Sequence, residues 1–345
     1  KEWKIPERLD IVECETFPMV FAGGPGTLKT TYCRAHCEYL RDKGYSVLML
    51  SFTNAAADQL SVTGIESYTI DGFYYRCLRR WGKLEGDVAR PHAYRLREEL
   101  FSELIRNPLY LNDLLGKWTA VVLDEGQDAS YRELKNLFII SGGDLHVFCD
   151  VDQCIYEWRN AEPLRLLDFC EYQGIKPIWL DYTSRLTHQI LKASQGVIRN
   201  NVHRFDVPLW SDKDGPEIEF VQTIHDVEAT MSRLKEVNSN DVAVLCRNLK
   251  GRQFVKDFWD QGLSKKAESH KPYAGTIHGA KGLEWLHVFL TRADVSEYSH
   301  GPIEEERRVF YTGMTRTCSL LHISAFNPIG FIREGGLVQW ADSLR

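Results

Sequence analysis

The run Gly23-Gly24-Pro25-Gly26-Thr27-Leu28-Lys29-Thr30 constrains this chain more than any other segment. It lies between a short apolar stretch, Pro18-Met19-Val20-Phe21-Ala22, and a helix-like stretch from Lys29 to Arg41. At such a turn Gly24, Gly26 and Thr27 let backbone N–H groups wrap a phosphate. Lys29 reaches its outer oxygens, and the Thr30 hydroxyl is placed to meet Mg²⁺. A phosphate-binding loop needs a strand that ends in it and a helix that opens from it, hence an α/β fold with a parallel sheet. One position departs from the usual spacing. Leu28 stands where glycine normally precedes the lysine, so either a side chain crowds the phosphates or the loop takes a different path.

The rest of the chain alternates strands and amphipathic helices. Ser46-Val47-Leu48-Met49-Leu50, Ala120-Val121-Val122-Leu123 and Leu145-His146-Val147-Phe148-Cys149 are short apolar runs with polar exits, the pattern of parallel strands covered on both faces. A second series follows: Pro177-Ile178-Trp179-Leu180, Ile218-Glu219-Phe220-Val221, Asp241-Val242-Ala243-Val244-Leu245, His287-Val288-Phe289-Leu290 and Leu320-Leu321-His322-Ile323-Ser324. Two series in 345 residues predict two α/β lobes, 1–172 and 173–345, because domains usually run about 100–200 residues. Residues 80–117, helix-like around Tyr94 to Arg106, read as a small helical insertion in the first lobe.

Composition excludes several classes. With 43% hydrophobic and 26% charged residues the chain is not of the disordered kind. No run approaches the roughly 20 apolar residues of a membrane span, so no membrane partner is expected. A net charge of −6 argues against a protein that coats nucleic acid, but leaves room for a narrow groove on an acidic body. The nine cysteines show no CxxC pair, and Cys33, His36 and Cys37 have no second ligand cluster. Reduced thiols in an intracellular compartment, cytoplasm or nucleoid, are expected rather than zinc.

Val121-Val122-Leu123-Asp124-Glu125 supplies the partner of the phosphate loop. An apolar strand delivers two adjacent carboxylates at its C-terminal edge, where doubly wound sheets bind their ligands. Asp124 suits Mg²⁺, held through water, and Glu125 suits polarisation of an attacking water.

Extended to Asp124-Glu125-Gly126-Gln127-Asp128, this segment resembles the UvrD/Rep-like helicases of superfamily one. Further resemblances follow in that family's order. They are Ser51-Phe52-Thr53-Asn54-Ala55-Ala56-Ala57, Thr69-Ile70-Asp71-Gly72-Phe73, and the segment from Asp150 through Gln153, Tyr156, Trp158 and Arg159 to Ala161. In the second lobe they are Thr276-Ile277-His278-Gly279-Ala280-Lys281-Gly282-Leu283-Glu284 and the segment from Glu306 to Arg316. The resemblance implies two tandem RecA-like lobes that hydrolyse ATP with Mg²⁺. It implies movement along single-stranded nucleic acid, DNA favoured and RNA open, in the 3′ to 5′ direction. It gives Lys29, Glu125, Gln153, Arg185 and Arg316 catalytic roles, the two arginines as fingers and Gln153 as sensor of the γ-phosphate. Glu284 would accept a hydrogen bond from the ribose. Phe52, Asn54, Phe73, Tyr156, Trp158, Arg159 and His278 would meet the nucleic acid, the aromatics by stacking bases.

The match also departs from the family. Arg8, Thr31 and Ser184 stand where contacts to the base are expected, and Tyr182 lies two residues before the position of a stacking tyrosine. Weak discrimination among nucleotides follows as an expectation. The large insertions of the relatives have no room here, which describes a stripped core. Two other classes compete with a motor: a binding module that keeps the fold while Leu28 cripples hydrolysis, and a small-molecule kinase, which would not need Gln153 or the second lobe's arginines.

Overall fold

The computed structural model describes residues 11, 13–14, 18–52, 65–156, 161, 163–237, 239–253 and 272–337. The chain divides into two compact units. The first comprises residues 1–24 and 28–180, the second residues 25–27 and 181–345.

In the first unit β1 (Met19–Gly23), β2 (Val47–Ser51), β3 (Glu66–Thr69), β4 (Ala120–Leu123), β5 (Leu145–Cys149) and β6 (Ile178–Leu180) form one sheet in the order β3-β2-β4-β5-β1-β6. Every pairing is parallel. All residues of β1, β2, β4 and β5 are buried, as continuous apolar runs require. The helix α1 (Lys29–Asp42) turns Cys33, Cys37 and Leu40 into a core with Phe21, Met49, Val122 and Phe148. The edge strand β3, Glu-Ser-Tyr-Thr, is only half-buried and lacks the apolar signal that marks its neighbours.

The insertion does not project as a separate body. Its main helix α3 (Tyr94–Leu104) lies on α2 (Ile70–Arg80), with Phe101 stacked on Tyr74 at 4.4 Å. Arg97, buried, grips Asp71 with Nε and Nη2 at 2.6 and 2.7 Å, and its Nη1 donates to the carbonyls of Val88 and Arg90. The short α4 (Pro108–Leu111) returns the chain to β4. Next, α5 (Tyr131–Ile140) opens on a reciprocal cap between Ser130 and Glu133, and α6 (Pro163–Gln173) leads to β6.

The expected boundary at 172/173 falls before β6, and the sequence reading places Pro177–Leu180 in the second series. Strand pairing overturns this: Phe21 is in register with Ile178 and Gly23 with Leu180, so the first unit continues to Leu180. Three residues around an exposed Trp179 carry no sign of which sheet they will join.

The second unit carries β7 (Glu219–Gln222), β8 (Val242–Cys246), β9 (Tyr273–Thr276), β10 (Trp285–Leu290) and β11 (Thr317–Ala325), again all parallel, in the order β7-β11-β10-β8-β9. Around them run α7 (His188–Ile198), α8 (Asp226–Glu236), α9 (Ile303–Met314) and the one-turn α10 (Phe331–Glu334). Two parallel sheets with helical crossovers are the fold class expected. Among the described residues no helix is long and apolar enough to cross a membrane, and all nine cysteines are free thiols.

Candidate functional site

In the first unit the phosphate loop leaves β1 and enters α1 through Leu28, whose φ of 61° and ψ of 30° lie in the left-handed region. Glycine adopts that conformation freely, whereas another L-residue is strained by roughly 1–2 kcal/mol. Leu28 thus takes the backbone conformation that a glycine favours, and the loop keeps its turn at the expense of strain. The Lys29 ammonium, buried, donates to the carbonyls of Gly24 (2.8 Å) and Gly23 (3.2 Å) and lies 3.8 Å from Asp150 Oδ2.

Thr30 Oγ1 donates to Asp124 Oδ2 at 2.9 Å, joining the first turn of α1 to the end of β4. Asp124 is fully buried, and burial first, then the charge of Glu125, pushes its carboxyl up to about 7. Glu125 follows with φ 56°, a left-handed turn that redirects the chain at the sheet edge. Gln127 Nε2 donates to Glu125 Oε2, while Gln127 Oε1 accepts from the backbone N–H of Asp150 at 2.8 Å. Gln153 Nε2 donates to Asp150 Oδ2. Lys29, Thr30, Asp124, Glu125 and Gln153 are therefore one connected cluster. Its links are Gln127 and Asp150. Their only sequence signal is a polar residue two or three places from a catalytic candidate.

A hydroxyl and a carboxylate 2.9 Å apart are hard oxygen donors of the kind Mg²⁺ takes while keeping several waters. A cation there would relieve the cost of the buried Asp124 charge, so the donor set fits the ion.

The second unit assembles the other set. Arg185 follows the segment that holds residues 25–27 of the loop: Thr183 Oγ1 donates to Pro25 O at 2.7 Å, and Ser184 N to Gly26 O at 3.1 Å. Packing is tight enough that a Cβ on Gly26, where φ is +74°, would stand 2.3 Å from Arg185 Cβ. The Arg185 guanidinium pairs with Glu284 at 2.7 Å, and its Nη1 donates to Thr315 O at 3.3 Å. The neighbouring Arg316 is buried, with Nε on Thr312 O (3.0 Å) and Nη1 on Leu283 O (3.4 Å). Residues from three distant segments, 185, 284 and 316, thus meet on one face of one unit.

The sequence profile described as UvrD-like helicase C-terminal domain matches residues 271–324, and one described as AAA domain matches residues 10–148. The chain is 32% identical over 236 residues to the ATP-dependent DNA helicase PcrA of Leuconostoc citreum, covering 61% of this chain and 30% of that protein. It is 29% identical over 182 residues to DNA helicase II of Rickettsia typhi, covering 49% and 27%. The same-named protein of Escherichia coli is 27% identical over 179 residues, covering 50% and 25%.

The chain is similar to the UvrD-like helicases in both of these stretches.

These matches span only 25–30% of the relatives' own lengths. The nucleic-acid candidates do not all fare alike. Phe52, half-buried, lines a cleft of about 230 Å³ with Ser51, Thr69, Asp71 and Tyr74. Tyr156 and His278 are also half-buried, His278 in the turn after β9. Phe73 is corrected by the structure. It is 2% exposed, edge-on to Trp118 (5.6 Å) and Phe101 (5.9 Å), so its ring is core and offers no face to a base. Asn54, Trp158, Arg159 and Arg8 lie outside the described residues. Among the departures from the UvrD-like pattern, Ser184 holds Gly26 rather than presenting a ring, and Tyr182 packs on Trp210 at 4.7 Å.

Proposed function

We propose that this chain is the two-lobed core of an ATP-dependent motor that moves along single-stranded nucleic acid, DNA in preference to RNA, 3′ to 5′. The observation that carries the reading is the Thr30–Asp124 contact of 2.9 Å beside the Lys29 ammonium. It unites the hydroxyl, carboxylate and cation that a nucleoside triphosphate requires. Mg²⁺, held by Thr30 and Asp124, would neutralise phosphate charge. Lys29 would bind the outer phosphates on leaving the carbonyls of Gly23 and Gly24. Glu125, steadied by Gln127, would orient the attacking water, and Gln153, steadied by Asp150, would report the γ-phosphate. Arg185 and Arg316 would spread the developing charge on the same phosphates, and Glu284 would take the ribose hydroxyl. The helicase names borne by the relatives support nucleic acid as the track, and DNA as its first candidate.

The test is phosphate release with and without single-stranded DNA and RNA of equal length. Stimulation by DNA of at least tenfold is expected, with loss in Lys29→Ala and Glu125→Gln. Strand binding without any nucleotide hydrolysis would leave a binding module instead. Directionality is read by streptavidin displacement, which a 3′ to 5′ motor performs from a 5′-biotin end only.

A further inference from the structure

On the first unit, away from the phosphate loop, a groove of about 710 Å³ runs between the edge strand β3, the outer face of α2 and the end of the insertion. Arg76, Arg79 and Arg80 stand exposed on that helix face at i, i+3 and i+4, and Lys117 faces them from the insertion. Four cations line the groove against one carboxylate, Glu66, on a chain whose net charge is −6. Lys117 is 3.8 Å from Glu66, and Arg80 pairs with Asp113 at 2.6 Å. No carboxylate among the described residues pairs with Arg76 or Arg79. Such a concentration of positive charge on an acidic body marks a polyanion site.

We propose that this groove binds the phosphate backbone of duplex nucleic acid. Of its four aromatic rings Phe73 and Trp118 are buried, and the other two each carry a guanidinium, Tyr75, 38% exposed, having that of Arg97 5.9 Å from its ring centre. Trp118 is 3% exposed and donates its Nε1–H to Glu66 at 2.7 Å, with Lys117 Nζ 4.4 Å from its ring centre. The Arg76 guanidinium lies 4.6 Å above the Tyr68 ring, covering the face on which a base would stack. A single strand binds by laying bases on free aromatic faces, and here those faces are occupied. What remains is an array of guanidinium groups with little open aromatic surface between them, which suits a ligand whose bases are turned inward. The site shares with the proposed motor only the assumption that the ligand is nucleic acid. It would hold the duplex from which a single strand emerges.

The experiment is fluorescence anisotropy with a labelled 16-base-pair duplex and a 16-residue oligo-dT, each from 50 to 200 mM salt. For Arg76→Gln/Arg79→Gln the slope of log affinity against log salt should shrink by about 2 for the duplex. Duplex affinity at 100 mM salt should fall at least about tenfold, with a smaller change for oligo-dT. Arg76→Lys/Arg79→Lys should keep the wild-type slope, since charge rather than shape is required. An unchanged duplex slope overturns the proposal, as does an equal loss for the single strand. So does competition in which unlabelled poly-glutamate removes the labelled duplex as effectively as unlabelled duplex does. Lack of strand-stimulated hydrolysis in the wild type would count against the motor while leaving the duplex measurement intact.

Discussion

Arg185 and Glu284, 99 residues apart in sequence, meet through a single carboxylate oxygen, with Nη2 at 2.7 Å and Nε at 2.8 Å from Oε2. The two residues carry different proposed duties, charge stabilisation and ribose binding, which separate in kinetics. Arg185→Ala should lower kcat by about a thousandfold, at the lower end for arginine fingers, and Arg185→Lys should not rescue it because the planar fork is lost. Glu284→Gln should raise KM several-fold and leave kcat nearly unchanged. Steady-state phosphate release checks both, and equal kcat losses in the two variants would refute the division of labour.

Leu28 sits at φ 61° immediately before Lys29. Leu28→Gly relieves the left-handed strain but adds chain entropy to the unfolded state, so stability should move by less than about 1 kcal/mol. Leu28→Ile, β-branched in the same conformation, should cost roughly 2 kcal/mol. The glycine variant should also bind nucleotide more tightly, with fewer atoms at the phosphates. Urea denaturation and nucleotide titration read the two effects; a glycine variant markedly less stable than wild type contradicts the strain argument.

Ser184 puts its hydroxyl on Gly26 O at 3.3 Å and offers no ring to a nucleobase. Rates with ATP, GTP, CTP and UTP should agree within about fivefold, since one missing stacking contact is worth roughly 1 kcal/mol or more. Ser184→Tyr should shift preference toward the purines. A strict preference for ATP in the wild type would show that base recognition resides elsewhere.

His36 Nε2 and His146 Nδ1 lie 2.6 Å apart, both rings fully buried between α1 and β5. Burial first, then the neighbouring His36, holds the His146 pKa well below its usual 6.5. The unfolded chain therefore binds a proton below pH 6.5 that the folded chain refuses. The resulting stability is present above pH 6.5 and is lost as the pH falls below it, by up to about 1.4 kcal/mol per pH unit for one proton. Urea midpoints at pH 7.5, 6.5 and 5.5 should decline in step, and His146→Gln should flatten the decline. No difference between the two proteins would mean that other groups set the acid limit.

Arg97 clamps the insertion to α2 through Asp71, with the arginine buried and the carboxylate 41% exposed. Arg97→Ala should cost roughly 3 kcal/mol, because it strands carbonyl acceptors and a carboxylate. Asp71→Asn, at the solvent side, should cost about 1 kcal/mol or less. Similar losses for the two would place the energy in the ion pair rather than in the buried guanidinium.

Local chemistry determined much of this protein before any fold was seen. Glycines, Lys29 and Thr30 between a strand and a helix specify a phosphate loop, and continuous apolar runs such as Val121–Leu123 specify parallel strands, because each signal lies within a few neighbouring residues. Edge strands β3 and β9 were not legible, since half-exposed strands need few apolar residues. Only tertiary structure decided that β6 joins the first sheet, that Phe73 is core, and that Leu28 occupies a left-handed turn. It also decided that Gln127 and Asp150 link the catalytic candidates and that Arg76, Arg79 and Lys117 share a groove. Those outcomes depend on which partner comes within a few ångströms across gaps that reach 157 residues for Phe21 and Ile178. Hydrogen bonds, burial and charge pairing act over that short distance, and no local pattern records them.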